Sequence, residues 1–153
     1  MTTPRRLWLC IVLIVSGIHL MPASGETLLP KASTAVVTLD VFSGRPNPTW
    51  ALSEQRTAEL LHRLQALEPT KVETPEFDGL GYRAVRVELQ QPGNGAAVVT
   101  AARGLVTLDR ADERVRYTDA GRQFELWLVN TGSDQLPPDL LRYVTGEIAS
   151  KPR

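Results

Sequence analysis

The sequence predicts an α+β domain, a four-stranded and mainly antiparallel sheet with helices packed on one face, in the order β-α-β-β-β-α-α. Three observations carry that prediction. Short alternating, β-branched runs follow one another between Tyr82 and Arg110 with only glycine-bearing turns between them. One helix-period stretch separates them from an earlier strand, and two more helical stretches close the chain. Segregated strands and helices favour an antiparallel sheet with helices on one face over a βαβ alternation.

The first strand is Thr34 to Phe42, where Val37, Leu39 and Val41 share one face and Val36, Thr38, Asp40 and Phe42 share the other. It must end at Ser43-Gly44. Pro46 and Pro48 follow, donating no hydrogen bond and pushing Arg45 and Asn47 toward extended backbone. Ser53 is placed to cap a helix that runs from Glu54 to about Leu67, with Thr57, Leu60, Leu61, Leu64 and Leu67 in one stripe. His62 falls opposite that stripe and is expected to face solvent.

Glu68 to Gly81 has no clear period and carries Pro69, Pro75, Gly79 and Gly81, which reads as a long loop. Tyr82 to Leu89 is the second strand, with Val85, Val87 and Leu89 facing in and Arg86 and Glu88 facing out. Hairpin connections at Gln91–Gly95 and Arg103-Gly104 join it to strands Ala96–Ala102 and Leu105–Arg110. Ala111 to Thr118, where Val115 and Tyr117 alternate with Arg114 and Arg116, allows a short fifth strand. Asp119 is a candidate cap for a helix from Ala120 to Thr131, whose Phe124, Leu126, Trp127, Leu128 and Val129 require deep burial, and Gly132 suits the position after it. Pro138 opens a last helix through about Ile148. Hairpins fix their own neighbours, so the place of the first strand in the sheet stays open.

The N-terminus predicts the compartment. Arg5-Arg6, an apolar run from Leu7 to Leu20, and Met21-Pro-Ala-Ser-Gly25 follow the charged, apolar, small-residue order of a secretory signal peptide, with cleavage expected after Gly25. The run is short of the roughly 20 apolar residues a bilayer span needs. Residues 1–25 are thus read as a cleaved signal peptide, 26–33 as a flexible start, 34–149 as one domain and 150–153 as a tail. An exported, periplasmic or secreted, protein is expected, with no membrane span after cleavage. Cys10 is the only cysteine and lies within the signal, which excludes disulfides, thiol nucleophiles and thiolate metal sites from the mature form. Removal of Arg5 and Arg6 turns a formal charge of zero into minus two, so no nucleic acid partner is expected.

Little catalytic chemistry can be assembled from what is left. One mature histidine and no cysteine make a zinc site improbable, and Asp109, Asp112, Glu113 and Asp119 lack the spacing of a calcium loop. No metal or other cofactor is expected. Ser43 has no nucleophile-elbow context, and Asp78-Gly-Leu-Gly-Tyr82 precedes a strand rather than a helix, against a phosphate loop. Asp40, Asp78 and Glu88 are the weaker carboxylate candidates, which would need to converge in a cleft as acid and base.

The remaining candidate is the corner Ser43 to Trp50. Arg45 offers a planar fork of donors, Asn47 a donor and an acceptor, and Trp50 a flat apolar surface, on a segment stiffened by two prolines. Ser43, Arg45, Asn47 and Trp50 are the candidate ligand-binding residues. The structural alternative has Arg45 paired with an acid of its own domain, Asn47 bonding the turn, and Trp50 packed under the first helix. The segment Val41-Phe-Ser-Gly-Arg-Pro-Asn-Pro-Thr-Trp50, with Phe124-Glu-Leu-Trp-Leu128, resembles small secreted bacterial proteins of no assigned function, and the resemblance implies no activity, cofactor or catalytic residue. The functional expectation is a non-enzymatic binding domain that recognises a small anionic ligand or a protein segment at this corner. The alternatives are a carboxylate-dependent hydrolase of envelope glycans and an inhibitor or immunity-like protein of the envelope.

Overall fold

The computed structural model describes residues 34–73, 79–91 and 95–150. The expected signal peptide over residues 1–25, the 26–33 segment, Asp78 and residues 151–153 lie outside them. The fold is α+β, as expected, but among the described residues the sheet has seven strands, not four or five. They are β1 (Thr34–Asp40), β2 (Thr49–Leu52), β3 (Glu68–Pro69), β4 (Ala84–Gln91), β5 (Gly95–Ala102), β6 (Leu105–Arg110) and β7 (Glu113–Thr118). The spatial order is β2-β1-β4-β5-β6-β7-β3, and every pairing is antiparallel. The three helices are α1 (Glu54–Gln65), α2 (Gln123–Asn130) and α3 (Pro138–Ala149).

Three strands differ from the reading of the sequence. The chain after Pro48 turns back as β2, so that Trp50 lies opposite Val37 and Leu52 opposite Ala35. Four residues are too few to show an alternating pattern, and two prolines mask the return. The two-residue β3 pairs Glu68 with Thr118 and Pro69 with Tyr117, inside what reads as loop. The fifth strand is complete, with Glu113 to Thr118 paired along all of β6. The open question about β1 is settled by its seat between β2 and β4.

One face of the sheet is the core. Val37, Leu39, Val85, Val87, Leu89, Val99 and Val106 are fully or almost fully buried there with Leu60 and Leu64 of α1, Leu128 and Val129 of α2, and Val144 and Ile148 of α3. This is the two-layer arrangement that the alternation predicts, because a one-residue slip in register would turn every one of those side chains outward. Ser53 caps α1 by accepting the Arg56 N–H at 3.2 Å. Two features of α2 depart from the apolar helix expected. It begins only at Gln123, after a 3-10 turn at Ala120–Arg122 in which Gly121 and Arg122 both have positive φ. Glu125, in the middle of its apolar run, is completely buried.

Gly132 follows α2 as expected but for a different reason. A Cβ there would come 2.6 Å from Cε2 of Trp50, so the indole lies directly on the glycine backbone.

Candidate functional site

The corner between β1 and β2 is held from inside. Oδ1 of Asn47 accepts the N–H groups of Val41 at 3.0 Å and Phe42 at 2.8 Å, and its Nδ2 donates to Oδ1 of Asp40 at 3.1 Å. One amide side chain thereby satisfies two donors that the end of β1 would leave free. Trp50 is 3 % exposed, and its Nε1–H donates to Oγ1 of Thr131 at 2.9 Å. Of the four residues expected to bind a ligand, Asn47 and Trp50 therefore spend their polar groups within the domain. Trp50 packs on the chain following α2.

Ser43 and Arg45 are exposed. The Arg45 guanidinium stacks 3.6 Å over the Phe42 ring, a cation–π contact, and it makes no ion pair among the described residues, where the structural alternative gives it an acidic partner. The acid at this corner, Asp40, belongs to other arginines. Arg83 reaches its Oδ1 through Nε at 3.0 Å and Nη2 at 2.5 Å, and the same Nη2 donates to the Phe42 carbonyl at 2.8 Å. Arg86 stands farther off, 3.4 Å from Oδ2. Burial raises the Asp40 carboxyl, but the hydrogen bond and charge of Arg83, with Arg86 and Asn47, outweigh it and hold the group below the ordinary carboxylate value.

That setting decides the fate of the carboxylate candidates. A group held ionised by two arginines is a poor general acid, which needs a raised value. Asp40 and Glu88 do share one side of the sheet on the adjacent strands β1 and β4, but Asp40 stands opposite Ala84, four residues along from Glu88, which is exposed opposite Val36. Asp78 lies outside the described residues. His62 is exposed on α1, as its position predicts.

A second polar cluster, which sequence reading missed, is buried among the helices. Glu125 accepts the Tyr82 hydroxyl at 2.7 Å and a two-pronged pair from Arg122, at 2.8 and 2.9 Å. Arg122 also donates to the Glu147 carbonyl at 2.9 Å, so the cluster ties the approach to β4, α2 and α3 together. Burial pushes the Tyr82 hydroxyl well up, reinforced by the Glu125 charge. The signal was present as a single glutamate within an apolar helix face, three residues after an arginine. Asp119 caps α2 as expected, accepting the N–H groups of Phe124 at 2.9 Å and Glu125 at 3.0 Å. These groups are mutually satisfied, and they explain α2's position rather than offering a site.

The side of the sheet away from the helices is different. Register places Thr38, Arg86, Thr100, Thr107 and Arg116 opposite one another, one from each of β1, β4, β5, β6 and β7. The next row over is Val36, Glu88, Val98, Asp109 and Arg114. Directly opposed residues of antiparallel strands project from the same face. Arg86, Val98, Thr100, Thr107, Asp109, Arg114 and Arg116 of these rows, with Glu73 and Ala111, line an open trough of about 660 Å³. Arg114 is paired with Asp109 across the β6–β7 ladder. Arg116 makes no ion pair among the described residues. A second hollow, about 640 Å³, lies between the end of α1 and the start of α2, but its buried acid, Asp119, is committed to the α2 N–H groups.

The chain is thus an α+β domain with one helix-covered sheet face and one open, arginine-bearing face. No family model matches the chain, and no curated protein or solved structure does either.

Proposed function

We propose that the protein is an exported binding domain for a small anionic ligand, and that the ligand lies on the open sheet face rather than at the Ser43–Trp50 corner. The observation that carries this is the cross-strand row Arg86–Thr100–Thr107–Arg116, two guanidinium groups flanking two hydroxyls across four adjacent strands. Guanidinium forks and hydroxyls are donors suited to carboxylate or phosphate oxygens, and strands hold them more rigidly than a loop does. A trough of some hundreds of Å³ is in the range of small-molecule sites. The corner contributes through Asp40, which stands 3.4 Å from one Arg86 nitrogen, and Arg86 itself lines the trough. Export rests on the signal-like order of residues 1–25.

The test is a titration of the protein with citrate, followed through backbone amide shifts at low and at moderate salt. Shifts gathered on β4 to β7, weakening as salt rises, are expected, since exposed charge pairs are screened over about 10 Å at 0.1 M. Shifts gathered on residues 43–50 would return the site to the corner. N-terminal sequencing of the protein recovered from a bacterial envelope fraction tests export separately, with Glu26 expected at or near the start.

A further inference from the structure

The open face says more about the ligand than its charge, and this inference rests on the anion-binding reading above. We infer that the trough takes an organic dianion with an acid group at each end and hydroxyls between, the chemistry of a polyhydroxylated dicarboxylate.

Arg86 stands on β4 and Arg116 on β7, three inter-strand steps apart, and neighbouring strands lie about 4.8 Å apart, which puts the two arginine backbones roughly 14 Å from each other. Between them the floor is Thr100 and Thr107, directly opposed on β5 and β6. Threonines are short, so the long arginine arms form the two walls and the hydroxyls form the floor. An inorganic anion would meet one wall and leave the other unused. A molecule with two acid groups meets both.

The floor calls for a polar middle. Thr100 and Thr107 both line the trough, so their hydroxyls are the polar groups of its floor. Hydroxyls of a ligand can both donate to and accept from these two groups, whereas a methylene chain can do neither. Arg116 is the wall that makes no ion pair among the described residues, while Arg86 is held by Asp40 only at 3.4 Å, looser than the 2.5 Å hold of Arg83 on the same carboxylate. Arg86 can therefore turn toward a ligand while Asp40 keeps its stronger partner.

The experiment compares four compounds by calorimetry on the purified protein. Galactarate has both features, gluconate one carboxylate with hydroxyls, adipate two carboxylates without hydroxyls, and digalacturonate the same two-acid chemistry in glycan form. Galactarate or digalacturonate is expected to bind about tenfold or more tightly than gluconate and adipate, as one charge-assisted hydrogen bond warrants. Whichever of the two binds better identifies free sugar acid or acidic glycan as the source. Thr107→Val, which keeps the shape of the floor, should remove the preference over adipate, and Arg116→Gln the preference over gluconate. Equal binding of all four overturns the two-ended, hydroxylated ligand while leaving an anion site. Binding of none of them, nor of citrate, overturns the anion site itself.

Discussion

Asn47 stands in for backbone at the end of β1. Its carbonyl oxygen takes the Val41 and Phe42 N–H groups and its amide holds Asp40, so three polar groups depend on one side chain. Asn47→Ala should cost about 1–3 kcal/mol, the penalty for leaving donors unsatisfied, measured by urea unfolding. Arg45→Ala at the tip of the same corner removes an exposed stacking contact worth about 0.5–1 kcal/mol, and should be nearly silent in that assay. Gly132 is constrained from the other side of Trp50. Gly132→Ala drives a methyl group into the indole, and overpacking of this kind costs about 1–3 kcal/mol. Asp40 gives the corner a pH dependence. Its folded value lies below the ordinary 3.8, so its contribution is complete at neutral pH and is lost as pH falls through that depressed value. Asp119 works in the opposite sense, because burial raises its carboxyl more than the α2 N–H groups lower it. The charged form of Asp119 costs stability near neutrality, and that cost fades as pH falls through its raised value. Asp40→Asn should therefore lower stability at pH 7 and flatten the acid limb below about pH 4, read from unfolding midpoints across pH.

Elements with a full period were legible in the sequence, and elements without one were not. The stripe Thr57, Leu60 and Leu64 located α1 and its buried face, and the alternation of Val85, Val87 and Leu89 located β4. In β2 only Trp50 and Leu52 point inward, too few to outweigh Pro46 and Pro48, so a return strand reads as a rigid display loop. The same two-residue poverty hides β3. Glu125 was hidden because helix periodicity ranks positions by apolar neighbours and cannot show that Arg122 and Tyr82 will meet it. Within the candidate site, the outward direction of Arg86 was legible from strand alternation. Its alignment with Thr100, Thr107 and Arg116 was not, because that requires the register of four strands, which hairpin lengths alone leave open. At this scale the cap of α2 provides a test. Asp119→Ala leaves the Phe124 and Glu125 N–H groups without their acceptor and should cost about 1–2 kcal/mol, as loss of a helix cap does. Circular dichroism should show a partial loss of helix before global unfolding.

On the scale of the whole molecule, the helices close one face of the sheet and leave the other to solvent. The covered face carries the apolar residues that hold the domain together, and the open face carries arginines and threonines that the core does not need. Stability and binding are therefore separable. Substitutions at the corner should act on unfolding, and substitutions in the Arg86–Arg116 row should act on ligand. The most direct test measures citrate or galactarate affinity for Arg45→Ala and Arg116→Gln side by side, with urea unfolding as the control. Arg116→Gln is expected to lose affinity roughly tenfold with little change in stability, as removal of one charge-assisted contact implies, while Arg45→Ala binds as the parent does. Retained binding in Arg116→Gln together with lost binding in Arg45→Ala would contradict this expectation.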